Sequence, residues 1–141
     1  MKFPKWLVEY RREAVEALGL QAWEITWELV DQVDADTPQT IGRTTWLWPY
    51  LQATIALEKG YVVEPTTKAK VLVLHELCHL VFAGSCDAFA TTVNEHVRKG
   101  SRRLVRQWHS DATEHCVVRL SRALYPLVEL RLATKKGKAK G

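Results

Sequence analysis

His75, Glu76 and His79 form an H-E-x-x-H pattern within VLVLHELCHLVFA, the apolar stretch from Val71 to Ala83. On a helix, a spacing of four sets the two imidazoles on one face about one turn apart, within reach of a single ion. The ion this pattern predicts is zinc, one per chain, with His75 and His79 as two of its ligands. Glu76 follows the first ligand by about a quarter turn. Its carboxylate can therefore lie beside an open coordination position and take a proton from water there, which makes it the candidate general base.

The helix that must present these groups has its own signals. Pro65, Thr66 and Thr67 suit a start with a threonine cap, and Gly84 stands where a left-handed stop is expected. Val71, Leu72, Val73, Leu74, Leu77, Leu80, Val81 and Phe82 make it apolar nearly all round, so it belongs in a core. Two histidines and a glutamate there need something to satisfy them, and a cation does so directly. The competing reading is a pair of purely structural core histidines. Cys78 occupies a variable position of the pattern and reads as core filling rather than as a ligand.

A catalytic zinc takes a third protein ligand and keeps one position for water. The candidates are Glu114, His115, His109, Asp111 and His96. Glu114 is favoured. It shares a helical face with Val117, Val118 and Ser121, whereas His115 shares one with Arg119 and Arg122, and the more apolar face should turn inward. Glu114 also stands three residues after Asp111, where a capping-box acid would stand, which is its structural alternative.

At the H-E-x-x-H residues the chain resembles the zincin metallopeptidases, and more loosely the minimal gluzincin-like ones often encoded by phages and prophages. The resemblance rests on five residues and on the order strand, active-site helix, later helix. It implies zinc-dependent hydrolysis of peptide bonds in a peptide or protein substrate, with Glu76 as base and a glutamate of a later helix completing the site. His96 as third ligand would instead be similar to the SprT-like type. The metzincin pattern fails, because no His follows at the required spacing and the sole Met is Met1. In such enzymes the strand bordering the cleft pairs with extended substrate, as edge-strand addition allows. An oxyanion donor is also expected, with His109, Tyr61 and Tyr125 as candidates. The alternative to an enzyme is a non-catalytic, zinc-stabilised binding module, a phage or host-interaction protein. Glu76 argues against it, since a structural site has no use for a base beside its ligands.

At 141 residues, 47% of them hydrophobic, the chain is expected to be one domain with a real core. Cys78, Cys86 and Cys116 are an odd set without a secretory signature, so reduced thiols and a cytoplasmic setting are expected. Of the 20 basic side chains, four lie in the final KKGKAKG, and the 16 that remain balance the 16 acids. The expected organisation is therefore a neutral domain over residues 1–134 and a disordered basic tail over 135–141. No apolar run is expected to span a bilayer. Arg98, Lys99, Arg102, Arg103 and Arg106 read as a solvated face rather than as a nucleic-acid contact, since only Trp108 adds an aromatic.

In chain order, a helix is expected from Pro4 to Leu18 with Leu7, Tyr10, Ala14 and Leu18 on one face and Gly19 as its stop. Trp23, Ile25, Trp27 and Leu29 alternate with polar residues as a half-buried strand, and Asp31 to Thr40 is a loop whose acids lack the glycine a calcium turn needs. Strands follow at Ile41 to Trp48 and through Leu51, Ala53, Ile55 and Leu57. After the Gly84 stop, Asp87 should cap a helix through Phe89, Val93 and Val97 ending near Gly100. A last helix should run from Asp111 to Leu124, end before Pro126 and return across the first. The fold class is α+β, a small mostly antiparallel or mixed sheet packed on the active-site helix, with further C-terminal helices.

Overall fold

The computed structural model describes residues 3–138. Its elements are α1 (Lys5–Ala17), β1 (Glu24–Val30), β2 (Gly42–Leu47), β3 (Gln52–Glu58), α2 (Thr67–His96) and α3 (Lys99–Lys138). The class is α+β, with a small mixed three-stranded sheet and three helices.

The sheet has the order β1-β3-β2, with β1 parallel and β2 antiparallel to the central β3. The register places Trp27, Ile55 and Thr44 in one row across it, flanked by rows through Ala53 and Leu57. Side chains in a row share a face, and on the inward face Ala53, Ile55 and Leu57 are buried in the core. The outward face carries Glu24, Thr26, Thr45, Gln52 and Thr54, with Gln52 donating to Glu24 at 3.0 Å. Both β1 and β2 are edge strands. β2 is the one that runs beside α2.

α1 starts after Pro4 and ends at Ala17, with Leu18 as its C-cap, followed by Gly19 at φ +69°, the left-handed conformation that glycine tolerates. Leu7, Tyr10 and Ala14 enter the core, joined by Val62, Leu74, Leu77 and Val128. The four-residue turn between β2 and β3 ends with Leu51 at φ +54°, so the alternation expected to begin there begins at Gln52.

Three helix boundaries differ from the sequence reading. Thr66 caps α2 as expected, its hydroxyl accepting from the Ala69 N–H at 3.1 Å, but Gly84 does not stop the helix. A Cβ at position 84 would lie 2.9 Å from Cζ2 of Trp48, so the glycine admits a tryptophan ring rather than a turn. Asp87 is consequently interior to α2, with its carbonyl accepting from Thr91, and the helix that it was expected to cap is the second half of α2. α3 in turn begins at Lys99 rather than Asp111 and continues past Pro126. Asp111 accepts from Gln107 one turn earlier, and Glu114 lies mid-helix, so no capping box forms. Pro126 deprives the Arg122 carbonyl of its usual partner at a cost of about 3 kcal/mol, offset by the burial of Val128 and the packing of Leu132 beyond it.

α2 and α3 are joined by Val97 and Arg98 alone and lie antiparallel. Contacts pair Lys70 with Glu129, Thr67 with Tyr125, Phe89 with His109 and Asn94 with Arg102. Two members of the basic cluster close this turn: Arg102 donates to the carbonyls of Val97 and Asn94, and Arg106 donates to the Asn94 side chain. The far end of α3 returns to α1 as expected. There Lys135 donates to Glu13 at 2.6 Å and to Glu16 at 3.0 Å. The tail expected to be disordered from Lys135 is thus helical through Lys138, because the buried Glu13 gives it a partner, and residues 139–141 lie outside the described ones. Reading through Gly84 also corrects the expectation about apolar length. By length and composition alone α2 could cross a membrane, with mean hydropathy 1.4 over 18 residues, yet here it is the central core helix.

Candidate metal centre

His75 and His79 project from the same face of α2, their Nε2 atoms 3.3 Å apart. Across the helical hairpin, Glu114 of α3 brings Oε1 to 3.1 Å from His75 Nε2 and Oε2 to 3.6 Å from His79 Nε2. Ligand bonds of about 2.0–2.1 Å in a tetrahedral shell put neighbouring donors about 3.3 Å apart. The three side chains offer one ligand atom each within 4.8 Å of one another, an arrangement that could hold a metal ion. The two facing imidazole nitrogens can share a single N–H···N hydrogen bond, but the Glu114 carboxylate adds only further lone pairs, so the cluster has more acceptors than hydrogens. A cation is the simplest partner for such a set.

Burial lowers the pKa of both imidazoles, and His75 lowers that of His79 further, while the Glu114 charge opposes the shift at each. The neutral form favoured by burial is the one that ligates metal. Val117 and Ser121, on the face of α3 shared by Glu114, are buried, whereas His115 is exposed. That is the face difference expected from sequence, with Glu114 at its solvent-facing border, half exposed.

Glu76 lines the same cleft as His75, His79 and Glu114 and is 4% exposed. Its Oε2 accepts from the Thr44 hydroxyl at 2.7 Å, and the same hydroxyl lies 3.0 Å from the Glu76 carbonyl oxygen. Burial pushes the carboxyl up to about 7, with the Thr44 hydrogen bond pulling it down and the Glu114 charge adding to the rise. A carboxyl near neutrality can both accept and return a proton. Gly42, on the same face of β2, makes room for it: a Cβ there would be 2.5 Å from Glu76 Oε1 and 2.9 Å from Leu72 Cδ1.

Of the remaining candidates, His109 is stacked on Phe89 at 3.8 Å between ring centroids and lines the cleft beside Cys86, Thr113 and Glu114. Tyr61 and Tyr125 line the opposite arm of the cleft. Asp111 and His96 are exposed; Asp111 accepts from Gln107 on its own helix, and His96 lies 3.7 Å from the Glu95 carboxylate. Cys78 is fully buried, its thiol pushed up to about 12 by burial, and faces the core. All three cysteines are free. Thr44 and Gly42 were invisible to sequence reasoning; the only available signal was the glycine that opens a strand otherwise made of Arg43, Thr44, Thr45, Trp46 and Leu47.

Comparison with protein-family models, with curated proteins and with solved structures returned no match.

Proposed function

We propose that the chain is a zinc-dependent metallopeptidase with His75, His79 and Glu114 as ligands and Glu76 as general base. The observation that carries this reading is the convergence of three donor groups at 3.1–3.6 Å next to a buried carboxyl of raised pKa. When bound, zinc supplies Lewis acidity, lowering the pKa of water towards about 7 and polarising a scissile carbonyl. Glu76 takes the water proton and later delivers it to the leaving amine, a double task that suits a carboxyl with a pKa of about 7. Thr44 fixes one carboxylate oxygen of Glu76, and the absence of a side chain at Gly42 leaves space for the other. The unpaired edge of β2 offers backbone groups to an extended peptide beside that carboxylate.

The test has two parts. Elemental analysis of protein purified without chelator should find about one zinc per chain, and absence of metal even after zinc addition would overturn the reading. Glu76→Gln keeps the size of the side chain but cannot accept the proton. It should retain zinc while losing cleavage of unfolded protein or a peptide library by at least roughly 100-fold, followed by mass spectrometry. Equal cleavage by parent and variant would remove Glu76 as base.

A further inference from the structure

The cleft beside the three donors has two arms. The larger, a cavity of about 730 Å³, runs along the hairpin toward the N-terminus of α2. Val71 and Leu72 lie one turn before His75, and together with Ile41 they wall the part nearest the site. Lys68 stands seven residues before His75 on α2, and Arg122 eight residues after Glu114 on the antiparallel α3. At a helical rise of 1.5 Å per residue, the backbones of both residues lie about 10–12 Å along the hairpin from those of the donors, toward the same end.

Their neighbours are paired: Lys70 with Glu129 and Arg131 with Glu16. Lys68 and Arg122 pair with no carboxylate among the described residues. Lys68 is also in the first turn of α2, where the helix dipole adds positive potential. The arm is thus apolar near the reacting groups and cationic beyond them. An extended peptide covers 10–12 Å in about three residues.

We propose that this arm binds the part of a peptide substrate beyond the scissile bond, with apolar side chains against Ile41, Val71 and Leu72 and a carboxylate about three residues on, held by Lys68 and Arg122. The inference rests on the peptidase reading and adds a substrate class to it. The recognised group is a carboxylate, supplied either by the chain terminus or by an Asp or Glu side chain. A guanidinium and an ammonium on a shared anion give charge-assisted hydrogen bonds stronger than neutral ones.

Binding to zinc-loaded Glu76→Gln protein tests this without turnover. Three labelled peptides share one apolar sequence: one ends in a free carboxylate, one in an amide, and one in an amide preceded by an added Glu. Fluorescence anisotropy should show about tenfold tighter binding of at least one acidic peptide than of the neutral amide, and which one it is identifies the source of the carboxylate. Adding Lys68→Gln and Arg122→Gln together should abolish that gap and leave the neutral peptide's Kd unchanged, with the thermal midpoint serving as the folding control. Equal binding of all three peptides, binding of none, or a gap that survives both substitutions would overturn the inference. Zinc content and cleavage by the parent are read separately. Library cleavage without acidic preference would sink this inference alone, whereas a protein that takes up no zinc would sink the peptidase reading.

Discussion

A methyl group at position 42 would lie 2.5 Å from Oε1 of Glu76, so the first residue of β2 and the candidate base are in contact across the sheet–helix interface. Gly42→Ala must move either the carboxylate or the strand. Overpacking of this kind costs about 1–3 kcal/mol, and here the strain falls on the base. The expected outcome is a lower thermal midpoint and reduced cleavage with zinc content unchanged. Elemental analysis and a melting curve on the same preparation check it.

Thr44→Val keeps the shape of the side chain and removes the hydroxyl that bonds Glu76. That bond lowers the Glu76 pKa, so its loss raises a value already pushed to about 7 by burial. A base with a higher pKa is protonated, and idle, over more of the acidic range. The acid limb of the cleavage profile should therefore move to higher pH in Thr44→Val. Profiles of parent and variant side by side check it, and coincident limbs would show that the hydroxyl does not act on the base.

Removing Glu114 leaves two imidazoles to hold the ion. Glu114→Ala should weaken zinc binding far more than His115→Ala or His109→Ala, since His115 is exposed and His109 is stacked on Phe89. Competition against a chromogenic chelator measures all three. Metal loss in the His109 variant instead would move the third ligand to an earlier position on α3.

The fully buried Glu13 meets Lys135 at 2.6 Å and Arg131 at 3.8 Å, so the C-terminal end of α3 is fastened to α1. Lys135→Ala should lower the thermal midpoint, and Lys135→Arg should restore most of it. Glu16 adds a pH dependence: the Lys135 hydrogen bond holds its carboxyl below the ordinary value. A depressed folded-state pKa means stability that is present above the ordinary carboxylate range and lost as pH falls through the folded value. The stability difference between parent and Lys135→Ala should accordingly shrink on acidification.

The strands were legible because alternation of Trp23, Ile25, Trp27 and Leu29, and of Ala53, Ile55 and Leu57, reports one buried face directly. The two histidines and Glu76 were legible through spacing within a single helix. Glu114 was reached through the burial of its helical face, although the boundaries assigned to that helix were too short. Local signals failed where tertiary contact overrode them. Gly84 serves Trp48 rather than a turn, Pro126 is carried by the packing on either side of it, and Lys135 gains order from an acid 122 positions away. Thr44 and Gly42 act on Glu76 across more than thirty residues, and no pattern within a strand announces such a contact.

The two-residue link between α2 and α3 has a consequence for assembly. All three donors belong to one helical hairpin, while the groups that surround Glu76 come from a strand earlier in the chain. On the proposed reading, a metal ion would need only the closed hairpin for its ligands and would in turn clamp it, since metal affinity for a folded arrangement is folding free energy. The base acquires its working environment only when β2 docks. On the same reading, a change that loosens β2 would disarm the base while leaving all three donors in place, so metal content and cleavage would come apart.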